Sequence, residues 1–132
     1  MIKFDTQYRV CYGDTDQMGV VYHGNYPKLF EIGRTEMFRH LNLDYKTIEA
    51  NGIMLPVVNI NINYKKPAKY DDLLTIRTFI KQIKGVKIIF NYELYNQQQE
   101  LLSTGETTLV FVDKKTQRPT SAPQNIIDIL NK

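Results

Sequence analysis

Four segments after residue 57 alternate apolar with polar residues, and this alternation limits the fold more than any other feature of the sequence. In the clearest segment, from Val58 to Tyr64, apolar or aromatic residues are separated by asparagines. A period of two residues indicates a β-strand with one apolar face. The other segments are 73–80, 86–94 and 101–112. Because the links between these strands are short, including turns at 83–86 and 96–100, we expect successive strands to pair antiparallel.

A single long amphipathic helix precedes these strands. Its apolar residues recur at spacings of three and four, the helical period; they are Tyr26, Leu29, Phe30, Gly33, Met37 and Leu41. Asn25 stands where an N-cap is expected and Pro27 follows in the first turn, so the helix is predicted to run from there to about Leu41. Gly33 costs about 1 kcal/mol relative to alanine in a helix, and a small residue there indicates close packing against a sheet.

The order of the elements predicts an α+β domain. A strand at 2–11 comes first, a short helix at 44–50 follows the long helix, and a last helix follows Pro123. The apolar stripe of the long helix must meet the apolar face of the strands, so we expect an antiparallel sheet wrapped around one central helix. No repeat or linker divides residues 1–132, which we interpret as one domain. Gly105 predicts a bend or bulge in the last long strand. The strands carry more apolar surface than one helix covers, which favours an oligomer.

Composition and charge exclude several classes of protein. The net charge of +3 is too small to indicate nucleic-acid binding. No run approaches the roughly 18 apolar residues of a membrane span, and the first residues lack the apolar run of a signal peptide. The lone cysteine, Cys11, favours a reducing compartment, so we expect a cytoplasmic protein in which Cys11 is a small buried hydrophobe. The two histidines, His23 and His40, lack metal-ligand spacing, so no metal site is expected.

The segment from Tyr12 to Tyr26 concentrates the polar chemistry of the chain. It joins the first strand to the start of the long helix, and it contains the carboxylates of Asp14 and Asp16 and the imidazole of His23. A carboxylate beside a helix N-terminus can act as base or nucleophile, while the free amides of the first turn stabilise an oxyanion. These groups are sufficient for hydrolysis of an activated acyl group such as a thioester, whose leaving thiol has a pKa of about 8.5.

The same segment resembles a known family. The residues that carry the resemblance are Tyr12-Gly13-Asp14-Thr15-Asp16, Tyr22-His23-Gly24-Asn25-Tyr26, Phe30-Glu31, Arg34-Thr35-Glu36 and the later run Tyr64-Lys65-Lys66-Pro67-Ala68-Lys69-Tyr70-Asp71-Asp72. They look like the hot-dog fold acyl-CoA thioesterases, in the branch that includes 4-hydroxybenzoyl-CoA thioesterase and the Tol–Pal-cluster thioesterases. The resemblance implies a five-stranded antiparallel sheet around the central helix. It also implies dimers with a continuous sheet, often stacked into tetramers, and active sites at the subunit boundary.

The resemblance assigns roles to individual residues. Asp16 corresponds to the catalytic carboxylate, which acts either as a nucleophile through a mixed anhydride or as a general base for water. The backbone amide of His23 is expected to donate to the thioester carbonyl. Tyr22 is expected either to line the acyl pocket or to pack, and Asn25 to cap the helix and then to contact substrate. Asp14 is expected to shape the turn.

Basic residues are expected at the mouth of the site, because coenzyme A carries a 3′-phosphate and a pyrophosphate. Family position favours Lys84 and Lys87, with Lys65 and Lys66 as a second set. Coenzyme A is part of the substrate, and no separate cofactor is expected. The alternative function is a non-catalytic acyl-CoA-binding or scaffold protein that keeps the fold. The sequence leaves open the acyl group, an acyl carrier protein as the thiol carrier, and the choice between dimer and tetramer.

Overall fold

The computed structural model describes residues 2–130, and its long elements lie where the sequence predicts them. The strands are β1 (Ile2–Arg9), β2 (Ile53–Met54), β3 (Val57–Tyr64), β4 (Leu73–Lys84), β5 (Lys87–Tyr95), β6 (Leu101–Val110), β7 (Val112–Asp113) and β8 (Arg118–Pro119), and the helices are α1 (Tyr26–His40), α2 (Tyr45–Ala50) and α3 (Gln124–Leu130). The short strands β2, β7 and β8 form a small second sheet that the sequence pattern did not predict. Within the described range, every helix is too short or too polar to cross a membrane.

The five long strands form one antiparallel sheet in the order β1-β4-β5-β6-β3. Strands β4, β5 and β6 pair with their neighbours in sequence, but the expectation that β3 pairs with β4 is wrong. Strand β3 pairs with β6, for example through Ile62 and Gly105, and forms an edge of the sheet. The reason is the path of segment 65–72, which separates β3 from β4. This segment runs beside the loop before α1, and the amide of Val21 in that loop donates to the carbonyl of Ala68 at 2.8 Å. This segment carries the chain from one edge of the sheet to its other half.

Helix α1 lies very close to the sheet because glycines stand at the points of contact. The side chain of Phe30 is fully buried, and its ring stacks on Tyr92 with 4.4 Å between centroids. A Cβ on Gly105 would lie 2.7 Å from Cζ of Phe30, and a Cβ on Gly33 would lie 2.7 Å from Cγ2 of Ile76. The close packing predicted at Gly33 is confirmed. Of the bend or bulge predicted at Gly105, the bulge is wrong, because the pairing register continues through this residue; the glycine makes room for an aromatic ring.

Strand β3 leaves most of its apolar face uncovered. The exposed fractions of Val58, Ile60 and Tyr64 are 56%, 40% and 51%, whereas Ile62 packs against the buried core. The dry face predicted for this strand is therefore not buried within one chain, because α1 packs mainly on β1, β4 and β5. An exposed apolar edge strand is a surface that natural proteins normally cover.

Candidate active site

The loop between β1 and α1 is held as a compact turn followed by a short 3-10 helix. The amide of Asp16 donates to the carbonyl of Val20 at 2.9 Å, and the amide of Gly19 donates to the carbonyl of Asp16 at 3.0 Å. Gly19 has a φ of +78°, a conformation that favours glycine. The 3-10 helix at His23–Asn25 then leads directly into α1. The reactive groups of the loop are thereby held beside the N-terminus of the long helix.

The side chain of Asp16 combines a structural contact with exposure to solvent. Its oxygen Oδ1 accepts a hydrogen bond from the amide of Met18 at 2.9 Å, which is the contact of an Asx turn. Among residues 2–130, the second oxygen, Oδ2, has no hydrogen-bond partner. The side chain of Met18 is 85% exposed, so an apolar group stands uncovered beside an available carboxylate oxygen.

Asp14, two residues earlier, is buried and has a different environment. Its Oδ2 accepts from the hydroxyl of Tyr8 at 2.7 Å and from the amide of Cys11 at 2.8 Å, and its Oδ1 accepts from Nζ of Lys28 at 3.3 Å. Burial opposes ionisation of this carboxyl group, but the hydrogen bonds from Tyr8, Cys11 and Lys28 outweigh burial and hold the pKa of Asp14 below its usual value. The prediction that Asp14 shapes the turn is confirmed, and its carboxylate is not open to a substrate.

His23 presents a backbone amide at the start of α1. Its carbonyl accepts hydrogen bonds from the amide of Tyr26 and, at 3.0 Å, from the hydroxyl of Tyr64. Its amide takes part in no hydrogen bond within the described part of the chain, which is the condition that an oxyanion donor requires. The imidazole is exposed and lies against the ring of Tyr22, with 4.4 Å between centroids.

Asn25 stands at the N-cap position that the sequence predicts, but its side chain does not cap the helix. Its backbone is already helical, with φ −89° and ψ −8°, and its side chain makes no capping hydrogen bond. The reason is the 3-10 helix, which brings Asn25 into the helical path and turns its side-chain amide toward the loop. This amide donates to the carbonyl of Asp14 at 2.9 Å and ties the start of α1 to the preceding turn. A contact between Asn25 and substrate stays a prediction.

A cavity of about 320 Å³ opens beside His23. Two of the predicted phosphate-binding residues, Lys65 and Lys66, line it together with Tyr64. Nζ of Lys66 pairs with Glu100 at 2.7 Å, and this hydrogen bond lowers the pKa of the Glu100 carboxyl group. In the part of the chain that the structure describes, Lys65 has no such ion pair, so it is the better placed of the two to meet an anion.

Lys84 and Lys87 lie far from this cavity within one chain. They face each other across the turn between β4 and β5. The opposite end of β4, at Leu73, pairs with Arg9, where β1 leads into the loop. Strand β4 has 12 residues, so its two ends are separated by roughly 35 Å at about 3.3 Å per residue. A single chain therefore does not bring the two sets of lysines together.

Two larger clefts carry none of these groups. One of about 490 Å³ lies on the outer face of the sheet, and one of about 730 Å³ lies between β4 and α3. Neither is lined by the loop, by Asp16 or by His23. The reactive groups, and not the size of a cleft, therefore locate the candidate site.

Sequence reasoning missed Tyr8 and Lys28 and misplaced Cys11. Burial and the Asp14 hydrogen bond raise the pKa of Tyr8, which keeps the phenol a neutral donor. Nζ of Lys28 lies 5.5 Å from the centre of the Tyr8 ring. No local pattern reveals this contact, because it depends on how β1 and α1 cross. Cys11 is exposed, and the expectation of burial is wrong because β1 ends at Arg9, which leaves Cys11 outside the sheet.

The fold and the loop together define a hot-dog domain, in which an antiparallel sheet wraps around one long helix and a reactive loop stands at the helix N-terminus. Related proteins agree. The sequence profile of the Thioesterase-like superfamily matches residues 10–130. The chain is 40% identical over 110 residues to the putative acyl-CoA thioesterase YneP of Bacillus subtilis. The alignment covers 83% of this chain and 80% of that protein.

Two further relatives extend the match to nearly the whole chain. The acyl-CoA thioester hydrolase YbgC of Escherichia coli is 35% identical over 119 residues, covering 90% of this chain and 89% of that protein. The solved structure of the DHNA-CoA thioesterase from Staphylococcus aureus superposes with a TM-score of 0.91 at 33% identity, covering 99% of this chain and 88% of that one. The chain belongs to the Thioesterase-like superfamily, and the fold and family expected from the sequence are confirmed.

The buried carboxylate of Asp14 predicts a specific dependence of stability on pH. Because its pKa is lowered in the folded protein, its contribution is complete well above the ordinary value of 3.8 and is lost as the pH falls through the lower folded-state pKa. Asp14→Asn should lower the free energy of unfolding by about 2 kcal/mol at pH 7, and the difference from the wild type should shrink in acid. Urea unfolding at several pH values measures both. A difference that stays constant down to pH 3 would contradict the assignment.

Proposed function

We propose that the protein hydrolyses acyl-CoA thioesters to a free acid and coenzyme A, with Asp16 as the reacting carboxylate. The observation that carries this proposal is that, within residues 2–130, the exposed carboxylate of Asp16 has one oxygen without a hydrogen bond and the amide of His23 in the same loop has none either. The relatives whose names state acyl-CoA thioester hydrolysis align over most of this chain. Coenzyme A enters as part of the substrate, and the proposed reaction uses no further cofactor.

The chemistry follows from these two groups. The amide of His23 donates to the carbonyl oxygen of the thioester and stabilises the negative charge that develops there. In the nucleophilic route, Oδ2 of Asp16 attacks the carbonyl carbon, the C–S bond breaks, and water hydrolyses the resulting mixed anhydride. In the general-base route, Asp16 takes a proton from water, and the water oxygen forms the new C–O bond. A thiolate is a good leaving group, so neither route needs a strong general acid.

The exposed edge of β3 supports a dimer. In the arrangement we propose, the β3 strands of two copies pair antiparallel, continue the sheet and cover Val58 and Ile60. The Val57 end of one β3 then lies beside the Tyr64 end of the other. Because the turn between β4 and β5 is at the Val57 end, the second copy's turn comes within roughly 15–20 Å of Tyr64 at about 4.8 Å per strand.

This dimer unites the two sets of lysines that one chain keeps apart. Lys65 lines the cavity beside His23, and Lys84 and Lys87 of the second copy approach the same end of the sheet. Cations on both chains would then face the phosphates of coenzyme A, at a site that only the dimer completes.

A homotetramer of two such dimers is the assembly we propose for the whole protein. The cleft on the outer face of the sheet is lined by polar side chains, among them Asn61, Asn63 and Glu106. Side chains of this kind can form hydrogen bonds across a contact between two dimers. We assign the protein to the cytoplasm, where coenzyme A thioesters and a reduced Cys11 are both expected.

The catalytic role of Asp16 is tested by Asp16→Asn. The asparagine side chain keeps an acceptor for the backbone amide of Met18 but removes the negative charge. The turn should therefore persist while kcat falls by about 10²–10⁴-fold. Release of free thiol from aromatic, short-chain and long-chain acyl-CoAs measures this. Asp113→Asn is the matched control, because Asp113 holds a turn through the same kind of bond, to the amide of Lys115 at 2.8 Å. Normal turnover by Asp16→Asn would refute the catalytic role of Asp16. A wild type inactive on every acyl group would favour the non-catalytic acyl-CoA-binding alternative.

The edge-to-edge dimer is tested by Ile60→Lys. A charge on the paired edge should dissociate the assembly to monomers and lower kcat/KM, because each site needs both chains. Sedimentation equilibrium measures the mass. Gln7→Lys is the matched control, since Gln7 is exposed on β1, the other edge of the sheet, and this variant should assemble normally. A wild type that is monomeric and active would refute the shared site.

The phosphate-binding role of the lysines is tested by the double variant Lys84→Ala/Lys87→Ala. The KM for an acyl-CoA should rise about threefold to tenfold, as expected for exposed ion pairs. The KM for the same acyl group on pantetheine, which lacks the phosphates, should not change. Lys114→Ala/Lys115→Ala removes another exposed pair and controls for net charge. Equal losses on both substrates would argue against this assignment, and equal wild-type efficiency on both would indicate a different carrier of the thiol.

A further inference from the structure

The carboxylate of Asp14 joins three separate parts of the fold. Its hydrogen-bond donors are the hydroxyl of Tyr8 on β1, the amide of Cys11 in the loop and Nζ of Lys28 on α1. The side chain of Asp14 is 10% exposed, whereas that of Lys28 is 55% exposed. A buried anion with three donors forms stronger hydrogen bonds than a neutral acceptor does. The relative positions of β1, the loop and α1 therefore depend on one ionised group.

The backbone of Asp14 joins the two reactive segments as well. Its carbonyl oxygen accepts from the amide of Tyr22 at 2.9 Å and from Nδ2 of Asn25 at 2.9 Å. Tyr22 immediately precedes His23, whose amide is the proposed oxyanion donor, and Asp14 stands two residues before Asp16. Asp14 thus has contacts on both sides of the proposed reaction centre and touches neither the substrate nor the reacting atoms.

We propose that Asp14 is a positioning residue that fixes the carboxylate of Asp16 and the amide of His23 in the separation that the reaction needs. The inference rests on the proposed function of Asp16. Misplacement of a reacting group by about 1 Å can cost 10²-fold in rate. Substrate affinity comes from other contacts, so loss of the Asp14 charge affects the chemical step rather than binding.

The chemistry of the substitution Asp14→Asn makes the proposal testable. An amide cannot replace the carboxylate, because one of its two ends always presents N–H groups to a donor. If the NH₂ takes the place of Oδ2 it meets the Cys11 amide, and if it takes the place of Oδ1 it meets the Lys28 ammonium group. The network is therefore disturbed by a change that leaves side-chain volume unchanged.

The experiment compares kinetics and hydrogen exchange in Asp14→Asn, Tyr8→Phe and Lys28→Met. In Asp14→Asn, kcat should fall about 10-fold to 100-fold while KM stays within about threefold of wild type. Tyr8→Phe and Lys28→Met should each cause a smaller loss of kcat and add little in the Asp14→Asn background, because all three act through one carboxylate. Amide exchange should accelerate in residues 11–25 and not in β5. Asp5→Asn is the matched control, because Asp5 lies on β1, the strand that carries Tyr8, and its carboxylate pairs with Arg77 at 2.8 Å.

The outcomes separate positioning from a merely structural role. Faster exchange in 11–25 with unchanged kcat would overturn the proposal, and so would a rise in KM with kcat preserved. If Asp14→Asn fails to fold, Tyr8→Phe and Lys28→Met decide by the same split between kcat and KM. If the wild type cleaves no thioester, the proposed function of Asp16 fails by itself. The positioning role then falls with it, and hydrogen exchange shows only whether Asp14 orders residues 11–25.

Discussion

The contact between α1 and the sheet sets the geometry on which the site depends. Phe30 can lie flat on Tyr92 only because Gly105 offers no side chain at that point, and Gly33 lets the helix backbone approach the neighbouring strand in the same way. This packing fixes the distance of the helix from the sheet and the direction of its axis. Its N-terminus, and with it the amide of His23, is thereby held at a defined distance from the end of β1.

The two carboxylates of the loop, Asp14 and Asp16, have different surroundings and therefore different properties. Asp14 is enclosed by donors and is stabilised as an anion that organises the chain. Asp16 is exposed, and its single structural bond occupies only one oxygen. The difference arises from the direction in which the turn points each side chain, since the residues are of the same type and are separated by a single threonine. Burial therefore distinguishes the organising acid from the one proposed to react.

Local patterns in the sequence predict the elements well and their long-range contacts poorly. The strand and helix periods are properties of neighbouring residues, so β3 to β6 and α1 could be located. The pairing of β3 with β6 depends on the path of segment 65–72, which no periodic pattern of the sequence predicts. The position of Asn25 at the start of α1 predicts a cap, but only the folded loop brings the carbonyl of Asp14 within reach of its side-chain amide. The contacts of Tyr8 and Lys28 with Asp14 likewise depend on long-range packing. The roles proposed for Asp16 and His23 rest on family resemblance.

The uncovered edge of β3 also bears on how such a protein can change during evolution. On the proposed two-fold arrangement, the loop that performs the reaction and the lysines that hold the nucleotide end of the same substrate molecule belong to different copies. A substitution near Lys84 then changes the reaction at the site of the neighbouring chain and not the reaction at the site of its own chain. Selection on substrate preference consequently acts on the pair of chains, and the unit that adapts is the interface.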